Sequence, residues 1–389
     1  MGKGIPALVT PSVLRWAREQ VRLPAAVAAK KAAVSEARLL SWEQDEAKPS
    51  LRQARLLAAA YRLPLAAFYL DEAPDVRIHL PKDYRRLAGE LMEEVSSSIV
   101  LDVRGAWERR EIVLELMALQ GLKAQAFSLT TGLDSDPEVA GRLIRGRLAV
   151  PVGDQARWRD PRTALNGWRK RVEDLGVLVL QTSDVPLAEL RAYSLHSEVL
   201  PVVVLNRKDP PAARLFSLFH ELAHLTLHTE GLCDLTTEVH RRPEEQRLEV
   251  FCNAVAAACL MPKEALLDHP IVRGHGSGPV WADADIEELA RHFSVSREAL
   301  LRRLLTFGLT TTTFYEKKRG EYRKEYESRP KSKAIVTPPV NALSLLGRPL
   351  VGLVLASLDA GRITTADAAD YLGVRLKHIP TLASALSGQ

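Results

Sequence analysis

The segment Asp209 to His228, DPPAARLFSLFHELAHLTLH, constrains this chain more than any other. Asp209 can cap a helix, and Pro210 and Pro211 are tolerated in its first turn. Leu215, Leu218, Leu222 and Leu225 then recur at helical spacing as a buried stripe. Set into that helix is His220-Glu221-Leu222-Ala223-His224. Residues four apart share a helix face, so His220 and His224 can both offer imidazole nitrogens to one metal ion. Glu221, beside His220, can hold a metal-activated water and take its proton, the arrangement that metal-dependent peptidases use. Zinc would bring the pKa of that water towards about 7, and the same carboxyl would return the proton to the leaving amine. A further donor to the developing oxyanion is usual. Tyr193 and His196 are candidates, and an ordinary surface role for either is an equal expectation.

A third ligand must come from the next helix, expected from about Glu244 to Leu260 and ended by Pro262. Glu249 is the choice, 25 residues beyond His224 on a helix otherwise apolar at Val250, Val255 and Leu260. A carboxylate so placed is costly to bury unpaired, and a zinc ion offsets that cost. Asn253, one turn on, can brace a ligand from behind. Glu244 and Glu245 compete but stand nearer the helix start. His228 continues the i, i+4 series, yet a fourth ligand would close the position that catalysis needs open, so a structural role is expected. Cys252 and Cys259 are expected as buried packing. The strand expected at Pro201–Asn206 could present an edge to which an extended peptide adds.

The remainder is organised around this segment. With 389 residues, 46% of them apolar and 26% charged, the chain exceeds one compact core and is neither wholly disordered nor fibrous. Its three cysteines, without a C-x-x-C pair, form no disulfide framework and point to a reducing compartment. The start, MGKGIPALVTPS, lacks an apolar core and cleavage site, and no apolar run is long enough to span a bilayer, so a cytoplasmic protein with no membrane partner is expected. Residues 1–75 read as short helices with starts at Thr10-Pro11, Pro24, Ser35, Ser50 and Pro64. Two of them joined by a tight turn give the layout of a helix-turn-helix module. The expected divisions are that module at 1–75, a helical linker region at 76–165, a metallopeptidase domain at 166–315, a basic linker at 316–342 and a small helical region at 343–389. A long helix is expected within 88–123, and Gly176–Gln181 and Pro201–Asn206 are expected strands. Residues 124–165 are poorly patterned.

RLFSLFHELAHLTLH followed by EVFCNAVAAACLMP resembles the ImmA/IrrE-type zinc metallo-endopeptidases, as do RAYS and VVVLN upstream. The N-terminal VLRWAREQ and SWEQDEAKPSLRQARLLAAAYRLPLAAFYL resemble the XRE (Cro/repressor-like) helix-turn-helix module often fused to them, and LPKDYRR, VSREALLRRLLTFG and the segment beyond 343 resemble such fusions. The resemblance implies an α+β, mostly helical architecture: an N-terminal five-helix bundle, a gluzincin-like peptidase domain with a small sheet and the H-E-x-x-H helix, and a helical C-terminal region. It implies zinc held by His220, His224 and Glu249, with Glu221 as general base. It also implies a bacterial or phage-encoded regulator that cuts a repressor or antitoxin-like protein in stress or mobile-element control. Many members read E-x-E-A-N around the second motif, where this chain has Phe251, so Glu249 is the ligand that fits.

Double-stranded DNA is the expected partner of the N-terminal module, and a homodimer is compatible with it. Residues 1–80 carry twelve Lys and Arg against eight Asp and Glu. The recognition helix is expected from Ser35 to Trp42, with Glu36, Arg38 and Ser41 outward and Lys30 and Lys31 near phosphates. The rival expectation is a non-catalytic DNA-binding regulator whose peptidase-like domain senses a ligand or partner.

Overall fold

The computed structural model describes residues 5–75, 80–81, 95–158, 160–229, 231–233, 243–328 and 337–387. Most of the expected linker after Asp75, the LPKDYRR segment beyond Pro81 and the end of the basic run at 329–336 lie outside the described residues. By internal packing the chain divides into two units, Met1–Leu80 with Leu91–Arg109, and Pro81–Glu90 with Arg110–Gln389. The fold is mostly helical with one small sheet.

The first unit holds α1 (Pro11–Gln20), α2 (Ala25–Lys31), α3 (Glu36–Glu43), α4 (Leu51–Tyr61) and a 3-10 turn at Leu65–Tyr69. The fifth expected helix is thus only that short 3-10 turn. Ser35 caps α3 by accepting from the Arg38 amide at 3.3 Å. Ser50 forms a capping box with Gln53, whose Oε1 accepts the Ser50 amide at 2.8 Å. Thr10 stands at the N-cap of α1 without a side-chain bond. Leu14, Leu39, Trp42, Leu57, Tyr61 and Phe68 close the core of this bundle.

A long helix, α5 (Ser97–Leu119), contains the boundary between the units at Arg109. In the second unit, α6 (Pro137–Leu148), α7 (Val152–Ala156) and α8 (Pro161–Glu173) precede β1 (Leu178–Thr182), β2 (Ala192–Leu195), β3 (Val202–Asn206), α9 (Pro211–Thr226), β4 (Gly231–Cys233) and α10 (Pro243–Leu260). Then follow α11 (Lys263–Leu267), α12 (Pro270–Gly274), α13 (Asp283–His292), α14 (Arg297–Thr306) and α15 (Thr312–Ser328), with α16 (Pro338–Leu346), α17 (Arg348–Asp359), α18 (Thr365–Leu372) and α19 (Ile379–Ser387) closing the chain. Strand order is β1-β3-β2-β4, with β1 parallel to β3 and β2 antiparallel to both β3 and β4. β3 therefore lies inside the sheet, bonded on both sides, and cannot offer the free edge expected of Pro201–Asn206. The outer strands are β1 and β4.

One face of the sheet (Val179, Ala192, Val203, Leu205) packs with α9 through Leu215, Leu218 and Leu222, and α10 joins through Cys252, Val255 and Cys259. Gly141 lets α6 approach α10 closely: a Cβ there would lie 2.6 Å from that of Ala258. α9 begins otherwise than expected. Pro210, not Asp209, is its N-cap, and the Asp209 carboxylate accepts instead from Arg191 Nη1 at 3.0 and 2.9 Å. A charge-assisted pair outcompetes capping of a turn whose first residue, proline, has no N–H to give. Among the described residues no single helix is long and apolar enough to cross a membrane.

Candidate metal centre

α9 sets His220 and His224 one turn apart, with their Nε2 atoms 3.2 Å from each other. α10, packed alongside, brings Glu249 to both: Oε2 lies 3.4 Å from His220 Nε2 and Oε1 lies 3.4 Å from His224 Nε2. The two histidines are fully buried and Glu249 is 3% exposed. Among the described residues this is the one group of His, Cys, Asp and Glu whose ligand atoms converge closely enough for a metal ion.

The outer nitrogens fix how these rings are used. His220 Nδ1 lies 3.1 Å from Asn253 Oδ1, and His224 Nδ1 lies 3.3 Å from the Thr229 hydroxyl, which itself donates to the His224 carbonyl at 3.1 Å. Both partners accept, so Nδ1 carries the proton and the Nε2 lone pair faces inward. Two lone pairs and a carboxylate so close repel unless positive charge stands among them. Ligand atoms about 2.0–2.2 Å from a tetrahedral centre are about 3.3–3.6 Å apart, close to the spacing observed. The donor set and its spacing fit a divalent metal ion. Without one, burial presses Glu249 towards neutrality, but hydrogen bonds and charge from both imidazoles prevail and hold it well below the usual carboxylate range. Burial likewise opposes protonation of His220, and Glu249 overcomes it, leaving the imidazole above its ordinary value.

Glu221 is fully buried on the sheet-facing side of α9, and its Oε2 accepts from the Ser194 hydroxyl at 2.8 Å. No local sequence pattern marks Ser194 as a functional residue. Side chains alternate along a strand, so Ala192 and Ser194 face α9 while Tyr193 faces the opposite side of the sheet. β2 therefore offers Glu221 the serine, and the expectation of Tyr193 as an oxyanion donor does not suit its placement. His196, just past the end of β2, sits edge-on to His228 with centroids 5.1 Å apart. His228 follows α9 with φ +55°, is exposed, and sits 3.1 Å from the Thr130 hydroxyl rather than with the converging trio.

The competing residues also stand apart. Glu244 is exposed and Glu245 half-buried in the first turn of α10. Cys252 and Cys259 are free and buried, and burial raises both thiols, Cys259 to about 12. They are packing residues, not nucleophiles at neutral pH. In the N-terminal unit Lys30, Lys31, Ser35, Glu36 and Arg38 are exposed, whereas Ser41 is half-buried and donates to the Arg38 carbonyl at 2.8 Å.

Comparison with known proteins bears on this part of the chain. Over 104 residues the chain is 36% identical to the radiation response metalloprotease IrrE of Deinococcus deserti, a match covering 26% of this chain and 34% of the relative. The chain thus spans about a third of the length of the curated relative it matches. No solved structure matches it. Residues 172–305, which include β1, α9, α10, the three converging side chains and Glu221, match the family model of the IrrE N-terminal-like domain, peptidase M78, so a metallopeptidase-type domain occupies this stretch.

Proposed function

We propose that residues 172–305 are the catalytic domain of a zinc-dependent endopeptidase that acts as a regulator. Its reaction is hydrolysis of a peptide bond in a repressor or antitoxin-like partner. The observation that carries this reading is the convergence of His220, His224 and Glu249, with Glu221 beside them and held by Ser194. Two imidazoles and a carboxylate are a donor set that suits zinc with a position left open. When bound, zinc supplies Lewis acidity towards a water and a peptide carbonyl. Glu221 receives the proton of the attacking water and passes it to the departing amine. Ser194 donates to Glu221 Oε2, which favours the ionised carboxylate that a base requires. Asn253 and Thr229 keep the imidazoles in the ligating tautomer. An extended substrate adds to β4, the outer strand on the side of β2, rather than to β3.

The N-terminal unit is read as an XRE-type helix-turn-helix module that brings the enzyme to double-stranded DNA or to its partner. The exposed row Ser35, Glu36 and Arg38 on α3, beside Lys30 and Lys31, supports that use. The relative's radiation response agrees with a role in stress regulation. A non-catalytic regulator has no need of a buried carboxylate held by a serine next to the trio, which favours the enzyme. The test is to compare new protein N-termini in a cell lysate treated with the zinc-loaded wild type or with Glu221→Gln. Cleaved helix-turn-helix repressors or their partners in the wild-type sample alone are expected. Identical N-termini in both would overturn the reading.

A further inference from the structure

In the second unit, buried and half-buried arginines generally meet carboxylates: Arg169 pairs with Glu173 at 2.8 Å, Arg191 with Asp209 at 2.9 Å and Arg303 with Glu138 at 2.6 Å. Arg145, buried, instead donates to Gln155 Oε1 and the Cys259 carbonyl inside the core, and Arg207 and Arg214 are the half-buried exceptions. Arg207 follows β3 and its Nη1 donates to Oδ1 of Asn341 in the first turn of α16. Arg214 stands in the first turn of α9 and its Nη1 donates to Oε1 of Gln181 on β1. Each is half-buried with a neutral amide as partner, and the buried Nε of Arg214 has no hydrogen-bond partner among the described residues. Gln181 in turn donates to the Ser344 carbonyl at 2.7 Å, which ties the group to α16.

Charge has accumulated here. Burial, then the positive charges of Arg162 and Arg207, push Arg214 down to about 10, and Asp209 opposes them. Asp209 is already committed to Arg191 through two hydrogen bonds. The starts of α9 and α16 add to the field, since neither Pro210 nor Thr337 caps its helix with a side chain. The positive end of each helix dipole favours an anion, while Pro211, Pro338 and Pro339 have no N–H to offer it. The parallel strands β1 and β3 end at this place, and ligands of open α/β sheets bind outside the carboxyl ends of such strands.

We propose that Arg207 and Arg214 form a binding site for a small phosphate-bearing anion, held between the start of α9 and α16. Guanidinium groups match phosphate oxygens in pairs, and the anion supplies the counter-charge that the amide partners lack. His220 follows Arg214 by six residues, about 9 Å along the helix axis. An occupant therefore links the C-terminal helices to the helix that bears the imidazoles. The site does not depend on the metal reading.

The probe is inorganic phosphate, titrated into the full-length protein at constant ionic strength against chloride and read by calorimetry and thermal unfolding. Wild type should bind saturably, with a raised unfolding midpoint, and Arg207→Gln and Arg214→Gln should each weaken binding by about tenfold or more. His220→Ala should keep the response, which separates this site from phosphate held at a metal. If Arg214→Gln does not fold, Arg207→Gln carries the test. No saturable response in the wild type, unchanged binding in the arginine variants, or loss in His220→Ala alone would each overturn the proposal.

Discussion

His220, Glu221, His224 and Glu249 are all buried in a core of leucine, valine and cysteine, where the trio depends on its own members and Glu221 on Ser194. That mutual dependence makes single substitutions informative. Glu221→Gln keeps size and a hydrogen-bonding partner for Ser194 but has no base, so it should retain metal and thermal stability while cleavage falls by about 10²–10⁴-fold; full activity in the variant would sink the role of Glu221. Ser194→Ala removes a donor from the ionised carboxylate and so raises the pKa of Glu221. The acid limb of the pH–rate profile should then move to higher pH, with turnover lowered by about tenfold; an unmoved limb would assign Ser194 to packing alone. The metal-free centre holds a proton on His220 to higher pH than an ordinary imidazole, and only the neutral ring ligates. Metal binding should therefore release protons and weaken as pH falls, which calorimetry in buffers of different ionisation enthalpy measures directly.

At the scale of elements, the carbonyl end of α10 is fixed by side chains from three other segments. Gln155 donates to the carbonyls of Leu260 and Phe293 at 3.0 and 2.7 Å, Arg145 to that of Cys259 at 2.8 Å, and Arg303 to that of Met261 at 2.9 Å. Gln155→Leu would strand two carbonyls and the Arg145 guanidinium, at a cost of about 2–4 kcal/mol. A lowered unfolding midpoint is expected, with weaker metal binding as Glu249 loses its rigid support; an unchanged midpoint would show the clamp to be dispensable. Much of this architecture was legible. The β-branched runs at 178 and 202, the leucine stripe of α9 and the proline stop of α10 each carry a strong local signal. β2 was not, because Ala192-Tyr193-Ser194-Leu195 is four residues long and its α9 face holds only an alanine and a serine. α6 was hidden by Gly141, Gly146 and its arginines, although Asp136-Pro137 is a capping signal that could have exposed it. Ser194 meeting Glu221, and Asp209 deserting its helix for Arg191, are contacts between distant segments that no local pattern records.

On the scale of the whole molecule, the two units carry separate chemistry. The trio and Glu221 lie within the second, and the exposed basic and polar row of α2 and α3 lies within the first. The DNA binding proposed for the first unit should weaken across sequences, and its salt dependence flatten, in Lys30→Ala with Lys31→Ala, while metal content stays unchanged. Mobility-shift titrations at two salt concentrations read this, and DNA affinity indifferent to both lysines would confine the N-terminal unit to protein contacts. The proposed chemistry requires a metal at His220, His224 and Glu249. Elemental analysis of the purified wild type beside Glu249→Ala measures it most directly. About one zinc per chain, lost or much weakened in the variant, is the result expected; a wild type without metal, or a variant that keeps its zinc undiminished, would contradict it.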